Sequence, residues 1–189
     1  LSGHTHKPKA AALQTVIDAF ENAPVSNPDG TTGIRIHIDA GSDTIMDPVT
    51  NATWGTRSES DALTHQNNLG TCPLDSDGNR PYNWTAFDGI KGVGTPGNFS
   101  IQRADVFHYN IWGHSLCPEY GTVSGISRGI PASDFLVTLG GWSGDVGTVG
   151  QQAGTLMHEL GHGLSFRHGG DDHCNYEPNY LSVMNYSFQ

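Results

Sequence analysis

Residues 154–168 read Gly154-Thr155-Leu156-Met157-His158-Glu159-Leu160-Gly161-His162-Gly163-Leu164-Ser165-Phe166-Arg167-His168. Leu156, Leu160 and Leu164 recur every four residues, so the segment from Gln151 to about Leu164 is expected to be a helix with one apolar stripe. On that helix His158 and His162 stand one turn apart and project from the same face, so two imidazoles can reach one metal ion. Glu159 lies about 100° round the helix from His158. There it stands beside such an ion without ligating it, where a general base belongs. His168 follows just past the expected helix end, where a tight turn would bring it back as a third ligand. Three neutral nitrogens leave the fourth position of a tetrahedral zinc open to water, as a catalytic site requires.

These residues resemble the extended zinc motif H-E-x-x-H-x-x-G-x-x-H of the metzincin zinc endopeptidases. Ser182-Val183-Met184-Asn185-Tyr186 is similar to the Met-turn of that family, in the S-x-M-x-Y form of astacins and serralysins. The resemblance covers about residues 150–189 and assigns no subfamily. It implies that His158, His162 and His168 hold one catalytic Zn2+ and that Met184 is the turn methionine. It also implies that Tyr186 is a switch tyrosine, able to ligate resting zinc and to swing away and steady a reacting oxyanion.

The fold implied is α/β (α+β) and metzincin-like: a small mixed twisted sheet, a backing helix, an active-site helix and a short irregular C-terminal subdomain. The whole chain, 1–189, is expected to be one catalytic domain, with an upper part to about 163 and a lower part from 164. That lower part stops at Gln189, where the family usually continues into a helix, so either that helix is missing or a different element replaces it. One residue departs from the motif. Ser165 stands where the family has a left-handed glycine, at a cost of about 1–2 kcal/mol. The expected reaction is hydrolysis of peptide bonds in a protein or peptide substrate, with Glu159 as general base and no organic cofactor. Because ligating imidazoles must be neutral, activity is expected to fall below about pH 6. Two rivals are a zinc peptidase of another clan with Glu177 as third ligand, and a non-catalytic zinc-containing adhesion or binding module.

Upstream, Leu13, Val16, Ile17 and Phe20 form a helical stripe within residues 8–23, bounded by Pro8 and Pro24. The alternation over Ile34–Ile38 predicts a half-buried strand, and further strands are expected near 105–112, at Thr122–Ser127 and at Asp134–Leu139. Of these, Asp134–Leu139 is the candidate edge strand for an extended substrate. Residues 40–100 read as irregular, with short strands and bound ions suspected but not placed. The glycine-rich loop Gly140–Gly150 is expected to be mobile or tightly turned.

Nine basic against nineteen acidic side chains give a net charge of −10, which disfavours a phosphate backbone as partner. The acidity reads first as solubility, with Ca2+ binding by some carboxylates the sharper alternative. Asp75-Ser76-Asp77-Gly78-Asn79 lacks the glycine and glutamate that an EF-hand needs and reads as a polar turn, while Asp39, Asp43 and Asp47 are left as caps or ion ligands. His4 and His6 read as a solvated tail, and Asp171, Asp172 and His173 as structural. No apolar run approaches the roughly 20 residues of a membrane span. Cys72, Cys117 and Cys174 allow one disulfide and one odd thiol, with the pairing open. Sequons begin at Asn51, Asn83, Asn98 and Asn185. With Leu1 reading as a processed start, these features predict a secreted, monomeric protein with no membrane or nucleic-acid partner.

Overall fold

The computed structural model describes residues 5–92 and 99–188; His4 and the sequon asparagine Asn98 lie outside them. The architecture is mixed α/β. It divides into two compact units, Lys7–Ala62 and a second made of Leu1–His6 with Leu63–Gln189.

In the Lys7–Ala62 unit the apolar stripe forms as its spacing requires. Helix α1, Ala10–Glu21, buries Ala12, Leu13, Val16 and Ile17. It ends at Asn22, whose side chain donates to the Asp18 carbonyl at 2.7 Å, and Pro24 follows shortly after. The chain then turns back against the helix end so closely that a Cβ on Gly33 would lie 2.0 Å from the Glu21 carbonyl oxygen. Ile34–Ile38 does not form the expected strand. Ile36 and Ile38 are half-buried while Arg35 and His37 are exposed, but Ile34 is exposed as well, so the alternation holds only over 35–38. The backbone, however, bonds to scattered partners. The Ile34 amide donates to the Phe20 carbonyl at 2.8 Å, and the Ile38 carbonyl accepts the Trp54 indole N–H at 2.8 Å. Side-chain alternation alone cannot supply the matched neighbour that a ladder needs. The ladder of this unit is instead antiparallel β1 (Ile45–Asp47) with β2 (Ala52–Thr53).

The larger unit holds α2 (Thr85–Lys91), β3 (Tyr109–Gly113), β4 (Gly125–Ser127), β5 (Asp134–Thr138) and α3 (Val149–Gly163). The sheet order is β3-β5-β4, with β5 parallel to β3 and antiparallel to β4. β5 is therefore the central strand, which overturns its expected place at the edge. Its run Phe135-Leu136-Val137 is buried on both faces, the mark of a strand with neighbours on either side. β4 is the edge beside it.

Helix α2 was not expected, because its seven residues carry Gly89 and no resolvable period. It packs Phe87 into a core with Leu69, Tyr82, Ile111, Leu116 and Leu136, stapled by the Cys72–Cys117 disulfide. Cys174 is the free, exposed thiol. Lys91 at the end of α2 pairs with the buried carboxylate of Asp134 on β5, and Arg128 bridges Asp134 to Asp88. The loop 140–150 is tightly turned, with Gly144 and Gly147 at φ of 65° and 74°. Asp75 closes its polar turn by accepting the Asn79 amide at 2.7 Å. Asp39 accepts the Ser58 hydroxyl at 2.6 Å, Asp43 pairs with Lys7 at 3.0 Å, and Asp47 accepts the Val49 amide at 2.9 Å. No helix among the described residues is long and apolar enough to cross a membrane.

Candidate metal centre

Helix α3 is started by a capping box. The Thr148 hydroxyl accepts the Gln151 amide while the Gln151 side chain accepts the Thr148 amide, which satisfies two otherwise orphaned donors. Nearly three turns further on, His158, Glu159 and His162 are all buried, on a helix that packs against β4 and β5.

The helix ends in a Schellman turn: the Phe166 amide donates to the Gly161 carbonyl at 2.9 Å and the Ser165 amide to the His162 carbonyl at 3.0 Å. Ser165 occupies the left-handed position at φ 78°, as the motif reading anticipated for this site. The turn feeds the site directly, because the Phe166 carbonyl accepts His162 Nδ1–H at 2.8 Å. Residues 167–170 then fold back on themselves through a pair of bonds between Arg167 and Gly170, which sets His168 in place.

The three imidazoles converge. Ring centroids lie 4.7 Å apart for His158 and His162, 5.0 Å for His162 and His168, and 5.3 Å for His158 and His168. One ligand atom from each lies within 4.8 Å of the others. His158 Nδ1 is 2.8 Å from the Val183 carbonyl. A carbonyl only accepts, so Nδ1 carries the proton in both His158 and His162, and Nε2 holds the lone pair. This backbone shell is the kind that orients metal-binding histidines. His168 Nε2 is buried with no protein partner, as is Glu159 Oε2. Two orphaned buried polar atoms beside two presented lone pairs fit a divalent ion of zinc type.

Burial sets the electrostatics. It lowers His158 to about 4 and also holds His162 and His168 below the usual imidazole value, so all three stay neutral. Burial pushes Glu159 up to about 8, opposed only by a backbone hydrogen bond from Ser127. A Cβ on Gly125 of β4 would lie 2.8 Å from Glu159 Cγ, so the edge strand rests on this carboxylate.

Ser182–Asn185 forms a tight turn closed by the Asn185 amide on the Ser182 carbonyl at 3.0 Å. Its Val183 carbonyl is the one that orients His158. Met184 is buried, and a Cβ on Gly161 would lie 2.3 Å from its sulfur, so helix and turn meet where only glycine fits. Asn185 is fully buried, its amide donating to the Glu177 carbonyl at 2.6 Å and the Tyr180 carbonyl at 3.1 Å. The Tyr186 ring lies 4.5 Å from that of His168 and 5.4 Å from that of His158. Burial, followed by the nearby Glu159 charge, raises its hydroxyl above the usual phenol value.

The sequence points to His158, Glu159, His162, His168, Met184 and Tyr186 but not to their supports. The carbonyls of Val183 and Phe166 act through backbone, which leaves no mark in residue type, and Gly125 comes to Glu159 only through the pairing of β4 with β5. Glu177 gathers instead with Asp172 and Cys174 in an exposed group, apart from the helix pair. No family model, curated protein or solved structure matches the chain.

Proposed function

We propose that the chain is a zinc-dependent endopeptidase of metzincin type, with His158, His162 and His168 as ligands and Glu159 as general base. The observation that carries this reading is the convergence of the three imidazoles, two of them locked by backbone carbonyls, beside a buried carboxylate. A bound zinc supplies Lewis acidity and brings the pKa of its water towards neutrality.

The protein's own groups account for the rest. Glu159 Oε2 takes a proton from the attacking water and returns it to the leaving amine nitrogen. That role needs the carboxylate form, which a divalent cation favours over the neutral acid that burial alone would impose. Tyr186 keeps its hydroxyl proton and can donate it in a hydrogen bond to the substrate carbonyl oxygen. The edge strand β4, lying on Glu159 through Gly125, offers its outer backbone to an extended peptide. Pairing of that kind holds many sequences in one register.

We further propose secretion, supported by the Cys72–Cys117 disulfide, which suits an oxidising compartment. The test is a quenched-peptide assay, run with zinc analysis, on wild type, Glu159→Ala and His162→Ala. The expected result is zinc and turnover in wild type, the same zinc content without turnover in Glu159→Ala, and a lower zinc content without turnover in His162→Ala. Zinc bound with equal turnover, or with no turnover in either of the first two, favours the binding-module reading.

A further inference from the structure

His6, His65 and His114 come together from three separate stretches of the larger unit, none of them on α3 or the Met184 turn. We infer that they form a second metal site, for a divalent transition ion of zinc type.

One ligand atom from each residue lies within 4.8 Å of the other two. The ring centroids are 5.2 Å apart for His6 and His65, 5.3 Å for His6 and His114, and 5.8 Å for His65 and His114. The spread resembles that of the His158 group, so one ion can meet all three rings with small side-chain adjustments. The tail reading of His6 is thereby corrected: the residue is half-buried, and its Nε2 atom is buried.

His6 and His114 are half-buried, while His65 is exposed with its Nε2 3.2 Å from Asn67 Oδ1. His114 follows directly on β3, and its carbonyl accepts the Gly140 amide at 2.8 Å. Its ring lies flat on Gly140, where a Cβ would come within 2.2 Å of Nδ1. The segment bearing His65 is tied to the same region by the Leu69 amide on the Ser115 carbonyl at 2.9 Å. The Ser115 hydroxyl adds a bond to Asn68 Oδ1 at 2.7 Å.

The donor set selects the ion. Three imidazoles with no carboxylate in the group favour zinc and its transition-metal neighbours over calcium or magnesium, which require oxygen ligands. The placement gives the ion a task. His6 is the last residue before the Lys7–Ala62 unit departs, and His65 lies just after the chain returns at Leu63. A shared ion ties these two passages to the end of β3, so its binding free energy adds to the stability of the folded chain.

The experiment uses the untagged chain, stripped by chelation, reloaded with Zn2+ alone, gel-filtered and analysed for metal. Wild type is expected to hold two zinc per chain, and His158→Ala/His162→Ala one. His6→Ala/His65→Ala is expected to keep one together with the peptide hydrolysis of the first site. Both of its substitutions lie outside helices and strands, so this variant reads the second site even if the α3 variant fails to fold. Added Zn2+ should also raise the melting temperature of His158→Ala/His162→Ala, and a third substitution, His65→Ala, should remove that rise. Zinc content unchanged by His6→Ala/His65→Ala, or a single zinc in wild type that α3 substitution abolishes, would overturn the site.

Discussion

Glu159 is the residue at which stability and chemistry conflict most directly. Burial raises its folded pKa to about 8 from an ordinary value near 4.5. In the metal-free protein its contribution is therefore fully present below about pH 4.5 and is lost as pH rises towards 8. Glu159→Gln keeps the shape and removes the charge. It is expected to raise metal-free stability by only about 1 kcal/mol at pH 5 and by roughly 4 kcal/mol at pH 8, while abolishing hydrolysis. Urea denaturation of the chelated proteins at the two pH values checks this; equal effects at both would show that Glu159 is not buried as described. Ser165 stores a smaller strain at φ 78°. Ser165→Gly should relieve about 1 kcal/mol, read as a rise of roughly 2–4 °C in melting temperature.

At the scale of elements, the buried ion-pair cluster that links α2 to β5 governs the sheet. Asp134 is only 5% exposed and faces Lys91 and Arg128. Asp134→Ala leaves the Lys91 ammonium without its carboxylate, and a loss of about 3 kcal/mol is expected. Lys91→Met, which leaves Asp134 paired with Arg128, should cost less. Guanidinium denaturation of both variants decides, and equal costs would count against the cluster. None of this was visible in sequence, because Asp134 and its partners are 43 and 6 residues apart. Helices α1 and α3 were legible because their stripes recur at helical spacing and local signals end them. β5 was found as a strand but misplaced in the sheet. Phe135-Leu136-Val137 is apolar without a polar face, which marks two-sided burial. Ile34–Ile38 failed for the opposite reason, since the pattern was present and the partner strand was not.

Across the whole molecule, the candidate metal ligands were legible and their support was not. Spacing named His158, His162 and His168, whereas the carbonyls of Val183 and Phe166 that orient two of them depend on how the turns close. The second histidine group was hidden because its members are dispersed along the chain. Burial has a consequence for acid behaviour. His158 is lowered to about 4, and His162 and His168 are lowered too, so protons are taken up on unfolding as pH drops from 6.5 towards 4. Metal-free stability should fall through that window. The acid limb of peptide hydrolysis should lie below the pH of about 6 that free imidazoles would give. A pH–rate profile with its acid midpoint at 6.5 or above would contradict this.

Asn185 carries a consequence for how the protein is made. Its side-chain nitrogen has no exposure and both its protons are engaged by carbonyls, yet Asn185-Tyr186-Ser187 is an acceptor for N-linked sugar. A host that attaches glycans to the emerging chain would place one where the turn beneath His158 must close. Material from such a host should divide into a sugar-free active fraction and a modified, inactive one, whereas bacterial expression would avoid the competition altogether.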